Sequence, residues 1–228
     1  MHGSGTDAAH TGDLAITEAA ARLAPVFVKH GYAFLYLFRR GQGLSVDQGV
    51  FMQDALQREK AANGEEARKH LQFVLMTTDH LDDEMAALSF LKKLPGVDSQ
   101  RIAVVGHSFG GQLALLAAER DGTLRAAVTF GAAAASWGSS SELRERLLDA
   151  TRKTTVPIML LQAANDYSTA PGKALDGELA SLNKLHVLKI YPPSGKTSDD
   201  GHMLVYTDIA EWESDVFRFL DEHVRRGM

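Results

Sequence analysis

The hydrophobic positions of the chain form short apolar runs that alternate with amphipathic stretches. Five of these runs predict strands, at residues 32–38, 101–106, 126–131, 157–163 and 186–192. They are apolar almost throughout, which is typical of parallel strands that helices cover on both faces. The stretches between them carry apolar residues at helical spacing, and strand–helix alternation indicates right-handed crossovers. The pattern therefore predicts an α/β fold with a mostly parallel sheet flanked by helices.

The longest departure from this alternation covers residues 45–80. A charged stretch there breaks at Asn63 and Gly64, and an apolar stretch follows, so we expect two helices packed over one edge of the fold. A partial lid and a peripheral excursion both remain open interpretations of these helices. Because no repeat or low-complexity linker interrupts the sequence, we expect residues 1–228 to form a single domain.

Composition and charge narrow the classes of function. A chain of 228 residues that is 45% hydrophobic can bury one sizeable core. Its net charge of -5 and pI near 6.0 give no indication of a nucleic-acid partner. The absence of cysteine excludes disulfides, thiolate metal ligands and a cysteine nucleophile. No apolar run reaches the roughly 18 residues of a membrane span, and we expect a cytoplasmic location.

Candidate chemistry begins with the sequence GHSFG, in which Ser108 lies between Gly106 and Gly110. An apolar run precedes it and a helix rich in small residues follows it. A G-x-S-x-G segment between a strand and a helix predicts a nucleophile elbow, a strained turn that exposes the serine hydroxyl. The two glycines leave space where a Cβ would clash, and the helix N-terminus favours negative charge at the site. An ordinary glycine-rich turn is the alternative interpretation.

A serine nucleophile needs a general base and an acid that orients it, in the chain order Ser, Asp or Glu, His. Asp166 is the first carboxylate after the run at 157–163, and His202 lies in a loop between the last strand and the last helix. Both follow predicted strand ends, where sites of open α/β sheets are built. Asp199 and Asp200 are rivals for the acid role, but we expect them on the loop surface because they are close to His202 in sequence.

These segments together resemble those of a known family. RRGQGLS at 39–45, the passage from LPGVDSQ to GHSFGG, NDYSTAP at 165–171 and DGHM at 200–203 are similar to motifs of the α/β-hydrolases. The likeness is greatest to the branch of the dienelactone hydrolases and prolyl-oligopeptidase-like enzymes. It implies an α/β-hydrolase fold, with Ser108 as nucleophile, His202 as general base and acid, and Asp166 as orienting carboxylate. Dienelactone hydrolases usually carry cysteine at the elbow, so the serine here favours ordinary ester chemistry.

An acyl-transfer site also needs donors for the oxyanion. The backbone N–H of Phe109, next after the nucleophile, is the first expected donor. HGSGT at residues 2–6 resembles the HGxxG loop of the family, which implies that the N–H of Ser4 is the second. Trp137 falls where the family lines its substrate pocket, and a pocket wall and plain core packing are both open for it.

Only one residue precedes this loop, whereas the family has an apolar strand there. The expected fold therefore lacks the N-terminal strands. Three explanations stay open: the natural start lies upstream, a segment of a second copy fills the slot in a strand-exchanged homodimer, or the neighbouring strands close up directly. One consequence would be a hydrolase with impaired activity.

The sequence thus predicts a serine hydrolase that cleaves small or short-chain acyl and aryl carboxylic esters through an acyl-enzyme. No cofactor and no metal are expected. His80 and Glu84 lie one helical turn apart among other acids, but we expect a solvated helix face there rather than a metal site. The alternatives are a peptidase of the prolyl-oligopeptidase-like type and a catalytically impaired module that acts by binding.

Overall fold

The structure is a computed structural model that describes residues 18–225. The described residues fall into two compact units, an N-terminal unit of residues 18–97 and a C-terminal unit of residues 98–225. The single-domain organisation expected from the sequence stays a prediction.

The N-terminal unit is helical in its regular parts. It contains α1 (Glu18–Lys29), a 3-10 turn (Gly43–Gln48), α2 (Met52–Thr77) and α3 (Asp79–Leu91). The break expected near residue 64 is present, because Gly64 has a φ of 89° within α2. The excursion at 45–80 is therefore helical as predicted, and its role as a lid stays a prediction.

The prediction of a strand at residues 32–38 is wrong. These residues have no regular secondary structure, and the four described strands all lie in the C-terminal unit. A strand is defined by hydrogen bonds to a neighbouring strand, and no described strand pairs with this segment. An apolar sequence is therefore not enough to form a strand. One of the apolar residues of this segment, Leu35, is 42% exposed.

The prediction of a solvated helix face at His80 and Glu84 is also wrong. The two residues are only 1% and 5% exposed, and they share the buried side of α3 with Leu81 and Leu88. Burial lowers the pKa of His80 and raises the pKa of Glu84, because each side chain is easier to bury in its neutral form. The prediction relied on the acidic neighbours of these residues. However, positions 80, 84 and 88 lie on one face of α3, and that face is buried.

The RRGQGLS segment forms a glycine-dependent turn that is tied to α3. The backbone N–H of Arg40 donates to Asp83 at 3.0 Å, and its guanidinium contacts Asp83 at 2.8 Å and Asp79 at 3.0 Å. The hydrogen bond to Asp83 is the main reason that the pKa of Arg40 is raised. Gly41 has a φ of +74°, and a Cβ there would lie 2.6 Å from the Phe51 backbone nitrogen.

The C-terminal unit is built on a parallel sheet with strand order β1-β2-β3-β4. The strands are β1 (Ala103–His107), β2 (Ala126–Phe130), β3 (Ile158–Ala163) and β4 (His186–Tyr191). They correspond to the other four predicted strands. Every residue of β2 and β3 is buried, which accounts for sequences that are apolar except at Thr129 and Gln162.

Helices follow the strands as the sequence pattern predicted. They are α4 (Phe109–Arg120), α5 (Ser141–Lys153), α6 (Ala170–Ser181), α7 (Ser198–His202), α8 (Leu204–Thr207) and α9 (Ile209–Leu220), followed by one π turn (Asp221–Arg225). Helix α5 begins at a Ser140 cap, whose hydroxyl accepts the Leu143 N–H at 3.2 Å. None of the helices between residues 18 and 225 is long and apolar enough to cross a membrane.

Candidate active site

The corner between β1 and α4 holds Ser108 in a backbone conformation that side chains rarely adopt. Its φ of 55° and ψ of -117° lie outside the common regions, and such strain costs about 1–3 kcal/mol. The Ser108 N–H donates to the Phe130 carbonyl at 2.8 Å. A Cβ on Gly106 would approach the Gly110 carbonyl oxygen to 2.0 Å, so only glycine allows strand and helix to meet this closely. The geometry is that expected of a nucleophile elbow.

A histidine and a carboxylate are paired in the same unit. Nδ1 of His202 lies 2.8 Å from Oδ1 of Asp166, and the two side chains are 10% and 1% exposed. The carboxylate also accepts the Tyr167 N–H at 2.7 Å and the Gln162 side-chain amide at 3.3 Å. Because the carboxylate accepts a hydrogen bond from Nδ1–H, the proton stays on Nδ1 and Nε2 is the basic nitrogen.

The two rival acids have other partners. Asp200 accepts N–H groups of the preceding turn and completes the capping box that begins α7, and these bonds lower its pKa. Asp199 accepts the hydroxyl of Tyr167. The fold therefore brings Asp166 to the His202 ring, although it is 36 residues away in sequence.

His202 was predicted in a loop, but it is the last residue of the short helix α7. Asn165 anchors the chain that leads into this helix: its amide donates to the carbonyls of Ser194 and Thr197, each at 2.8 Å. A Cβ on Gly201 would lie 2.5 Å from the Asn165 oxygen. The turn that carries the acid thus also positions the helix that carries the base.

His107, the residue directly before the elbow serine, contacts His202. Its Nε2 lies 2.9 Å from the carbonyl oxygen of His202, and the two ring centroids are 4.7 Å apart. A carbonyl only accepts, so His107 donates from Nε2. Burial and the nearby His202 lower the pKa of His107 to about 3, which leaves the ring neutral at physiological pH.

The turn after β2 lies against both the elbow and the His202–Asp166 pair. Phe130 accepts the hydrogen bond from Ser108, and the next residue, Gly131, lies beside the His202–Asp166 pair. A Cβ on Gly131 would lie 2.9 Å from Oδ2 of Asp166 and 3.0 Å from Nδ1 of His202. No hydrogen bond joins Ser108 to His202 among the described residues, and such bonds often tighten only when substrate binds.

The other predicted site residues have different outcomes. Phe109 is the first residue of α4, at the helix end where backbone N–H groups favour negative charge. Ser4 lies outside the described residues, so its role as a donor stays a prediction. Trp137 is 8% exposed, and its carbonyl accepts a hydrogen bond from Arg144 at 2.6 Å. A pocket-lining role for Trp137 also stays a prediction.

Sequence reasoning missed several residues around the pair. Gln162 is the one polar residue in the otherwise apolar strand β3, and this contrast was a usable signal. Gly131 ends an apolar run in the same way that Gly106 does. Tyr167 carried no signal beyond being adjacent to Asp166. Between residues 18 and 225, no group of three or more His, Asp or Glu side chains is placed to hold a metal ion.

A family model places the chain among known proteins. Residues 44–197 match the dienelactone hydrolase family, and this range is more than half of the chain. The chain therefore belongs to the dienelactone hydrolase family. The matched range contains Ser108 and Asp166, and His202 follows it. The comparison with curated proteins gives no match.

Solved structures show which fold the chain has. An esterase from Pyrococcus furiosus is 15% identical with a TM-score of 0.67, over 98% of this chain and 80% of the esterase. The acylaminoacyl peptidase of Pyrococcus horikoshii is 16% identical with a TM-score of 0.54, over 72% of this chain and 31% of the peptidase. A puromycin-hydrolyzing peptidase of Mycobacterium tuberculosis is 16% identical with a TM-score of 0.52, over 69% and 28%. The chain thus spans about a third of the length of these peptidases. At such identities the similarity concerns the fold, which is the α/β-hydrolase fold.

Proposed function

We propose that the chain is a serine hydrolase that cleaves carboxylic esters of small or short-chain acyl and aryl groups. The observation that carries the proposal is the strained elbow at Ser108 in the same unit as the buried His202–Asp166 pair. Strained non-glycine conformations are maintained where a function needs them. An accurately oriented imidazole next to such a serine is the arrangement that acyl transfer requires.

The proposed reaction has two halves. Ser108 Oγ attacks the ester carbonyl and His202 Nε2 takes its proton, which forms a tetrahedral intermediate. The N–H of Phe109 stabilises the oxyanion, and one such donor typically contributes about 3 kcal/mol. His202 returns the proton to the departing alkoxide, which leaves as the alcohol. Water, deprotonated by His202, then attacks the acyl-enzyme, and collapse of the second intermediate releases the acid and regenerates Ser108.

The role of Asp166 in this scheme is to orient and stabilise the protonated base. Its Oδ1 accepts from His202 Nδ1 at 2.8 Å, and the carboxylate is almost completely buried. A buried negative charge favours the imidazolium that forms during each proton transfer. The neutral ring of His107 adds no opposing charge beside it.

The test is hydrolysis of p-nitrophenyl esters from acetate to octanoate by the parent chain and by Ser108→Ala. We expect turnover by the parent that is highest with the short esters and that falls at least 10³-fold in the variant. Asp166→Asn should keep the fold and lose most of the turnover. Equal rates in parent and Ser108→Ala would contradict the proposal.

A fluorophosphonate probe and peptide p-nitroanilides separate the alternatives. Labelling of Ser108 requires an activated serine, so a chain that folds without labelling would support the impaired binding module. The structural similarity to the peptidases, with a TM-score of 0.54 for one of them, favours peptides as a second substrate class. Faster cleavage of peptide anilides than of esters would replace the ester proposal by the peptidase.

A further inference from the structure

Tyr167 lies directly beside the proposed catalytic pair but has no part in the proton transfers. Tyr167 as a residue is 45% exposed, although the side chain of the neighbouring His202 is only 10% exposed. The tyrosine ring contacts the His202 ring with centroids 4.8 Å apart and planes inclined by 49°. An exposed aromatic ring against a buried imidazole is a contact that substitution can remove without opening the core.

The hydroxyl of Tyr167 makes a second connection. It donates to the carboxylate of Asp199, which lies in α7, three residues before His202. The Tyr167 N–H donates to Oδ1 of Asp166 at 2.7 Å, the same oxygen that faces His202. One residue therefore contacts the acid through its backbone, the base through its ring, and the helix of the base through its hydroxyl.

The protonation state of Tyr167 suits this arrangement. The hydrogen bond to Asp199, with burial and the negative charge of that carboxylate, raises the pKa of the Tyr167 phenol to about 12. The hydroxyl therefore stays a donor across the pH range in which an imidazole base works. The short helix α7 has only five residues, so contacts from outside the helix matter for its position.

We propose that Tyr167 is a positioning residue that holds α7, and with it the His202 imidazole, through its hydrogen bond to Asp199. The inference rests on the proposed role of His202. The turn that carries Asp166 does not need the Tyr167–Asp199 hydrogen bond for its own structure, because Asn165 already ties that turn to the chain before α7. Asn165 fixes the entry to α7, whereas Tyr167 acts at the helix itself, one turn before His202.

The test is a double-mutant cycle of Tyr167→Phe and Asp199→Asn. Phenylalanine keeps the ring contact and removes only the hydroxyl. We expect each single variant to lower kcat for a p-nitrophenyl ester about tenfold, with KM changed less than twofold, because hydrogen bonds to charged groups are the stronger ones. The double variant should be no worse than either single variant.

Tyr191→Phe is the matched control. The Tyr191 hydroxyl also donates to a helix carboxylate, Asp215 at 3.1 Å, but Tyr191 is 7% exposed, and within residues 18–225 it makes no hydrogen bond or ring contact with His202 or Asp166. We expect Tyr191→Phe to lower the melting temperature more than Tyr167→Phe while leaving kcat unchanged. A general effect of losing a tyrosine hydroxyl would lower kcat in both variants and overturn the proposal.

A readout that does not depend on turnover separates this inference from the ester proposal. The His202 Nδ1 proton, assigned by its loss in His202→Gln, is observable as a low-field proton NMR resonance. We expect faster solvent exchange of this proton in Tyr167→Phe and Asp199→Asn, and no change in Tyr191→Phe. Unchanged exchange in both site variants, or additive losses in the cycle, overturns the positioning role. A parent that hydrolyses no ester but shows the exchange change contradicts the ester proposal alone.

Discussion

Nε2 of His107 donates to the main-chain oxygen of His202 at 2.9 Å, so the residue before the elbow serine holds the backbone of the proposed base. The Tyr206 ring packs edge-on against His107 with centroids 5.1 Å apart. Both histidine rings therefore lie in one cluster, and because Nε2 of His107 is used by this hydrogen bond, we propose His202 alone as the base.

The buried His107 predicts a dependence of stability on pH. Its pKa falls from 6.5 to about 3 on folding, so between these values the unfolded chain binds a proton that the folded chain does not. Stability contributed by the neutral ring is present above pH 6.5 and is lost as the pH falls toward 3. We expect the free energy of unfolding of the parent to decrease by about 1.4 kcal/mol per pH unit more than that of His107→Gln.

The measurement is urea unfolding of the two chains at pH 4 to 7. Glutamine keeps a side-chain donor for the His202 carbonyl but does not titrate, so the difference between the two curves isolates His107 from His80 and the acids. Parallel curves would mean that His107 is protonated in the folded chain.

Gly131→Ala should impair the active site without unfolding the chain. The added Cβ would lie 2.9 Å from Oδ2 of Asp166 and 3.0 Å from Nδ1 of His202, and these atoms must move apart to admit it. We expect kcat for a p-nitrophenyl ester to fall about 100-fold, as is typical of small displacements of catalytic groups. Gly96→Ala is the control, because Gly96 also has a positive φ, +82°, but open space around its Cβ position. A similar loss of kcat in both variants would point to backbone strain in general.

Gln162→Leu should weaken the orientation of the acid. Gln162 is 3% exposed, and its amide donates to Oδ2 of Asp166 at 3.3 Å and to the Ser168 carbonyl at 2.8 Å. We expect a drop in kcat of about tenfold at nearly constant KM, since a hydrogen bond to a carboxylate contributes about 1.5–3 kcal/mol. Gln112→Leu removes an equally buried amide that bonds Ser136 instead. If that variant loses as much kcat, loss of a buried amide rather than orientation of Asp166 is the cause.

Substitutions of Ser108 should reveal the strain of the elbow. At a φ of 55° and ψ of -117° glycine is relaxed and alanine is not. We expect Ser108→Gly to be more stable than Ser108→Ala by about 1 kcal/mol in urea unfolding, while both are inactive. At Ser181, in helix α6, the order should reverse, because glycine weakens a helix relative to alanine. If the alanine variant is more stable than the glycine variant at position 108 as well as at position 181, the elbow holds no strain.

The predictions from sequence succeeded where local pattern and tertiary structure agree. The four strands of the C-terminal unit, the helices between them and the break at Gly64 all follow from apolar periodicity and glycine placement. The segment at 32–38 has the same apolar character, yet it forms no strand, because pairing depends on a neighbour that local sequence does not supply. The prediction for His80 and Glu84 failed for a related reason. Their polar side chains suggested exposure, but both residues lie on the side of α3 that packs inward and are therefore buried.

The sequence by itself determined the fold class, the elbow and the order of Ser108, Asp166 and His202 along the chain. These follow from short-range chemistry, since a glycine-flanked turn and the ends of apolar strands are local features. Only the tertiary structure shows the contact between Asp166 and His202, and the positions of His107, Gln162 and Tyr167 around that pair. Such contacts join strand ends and turns that are up to 95 residues apart, and they exist only once the parallel sheet brings those ends to one edge.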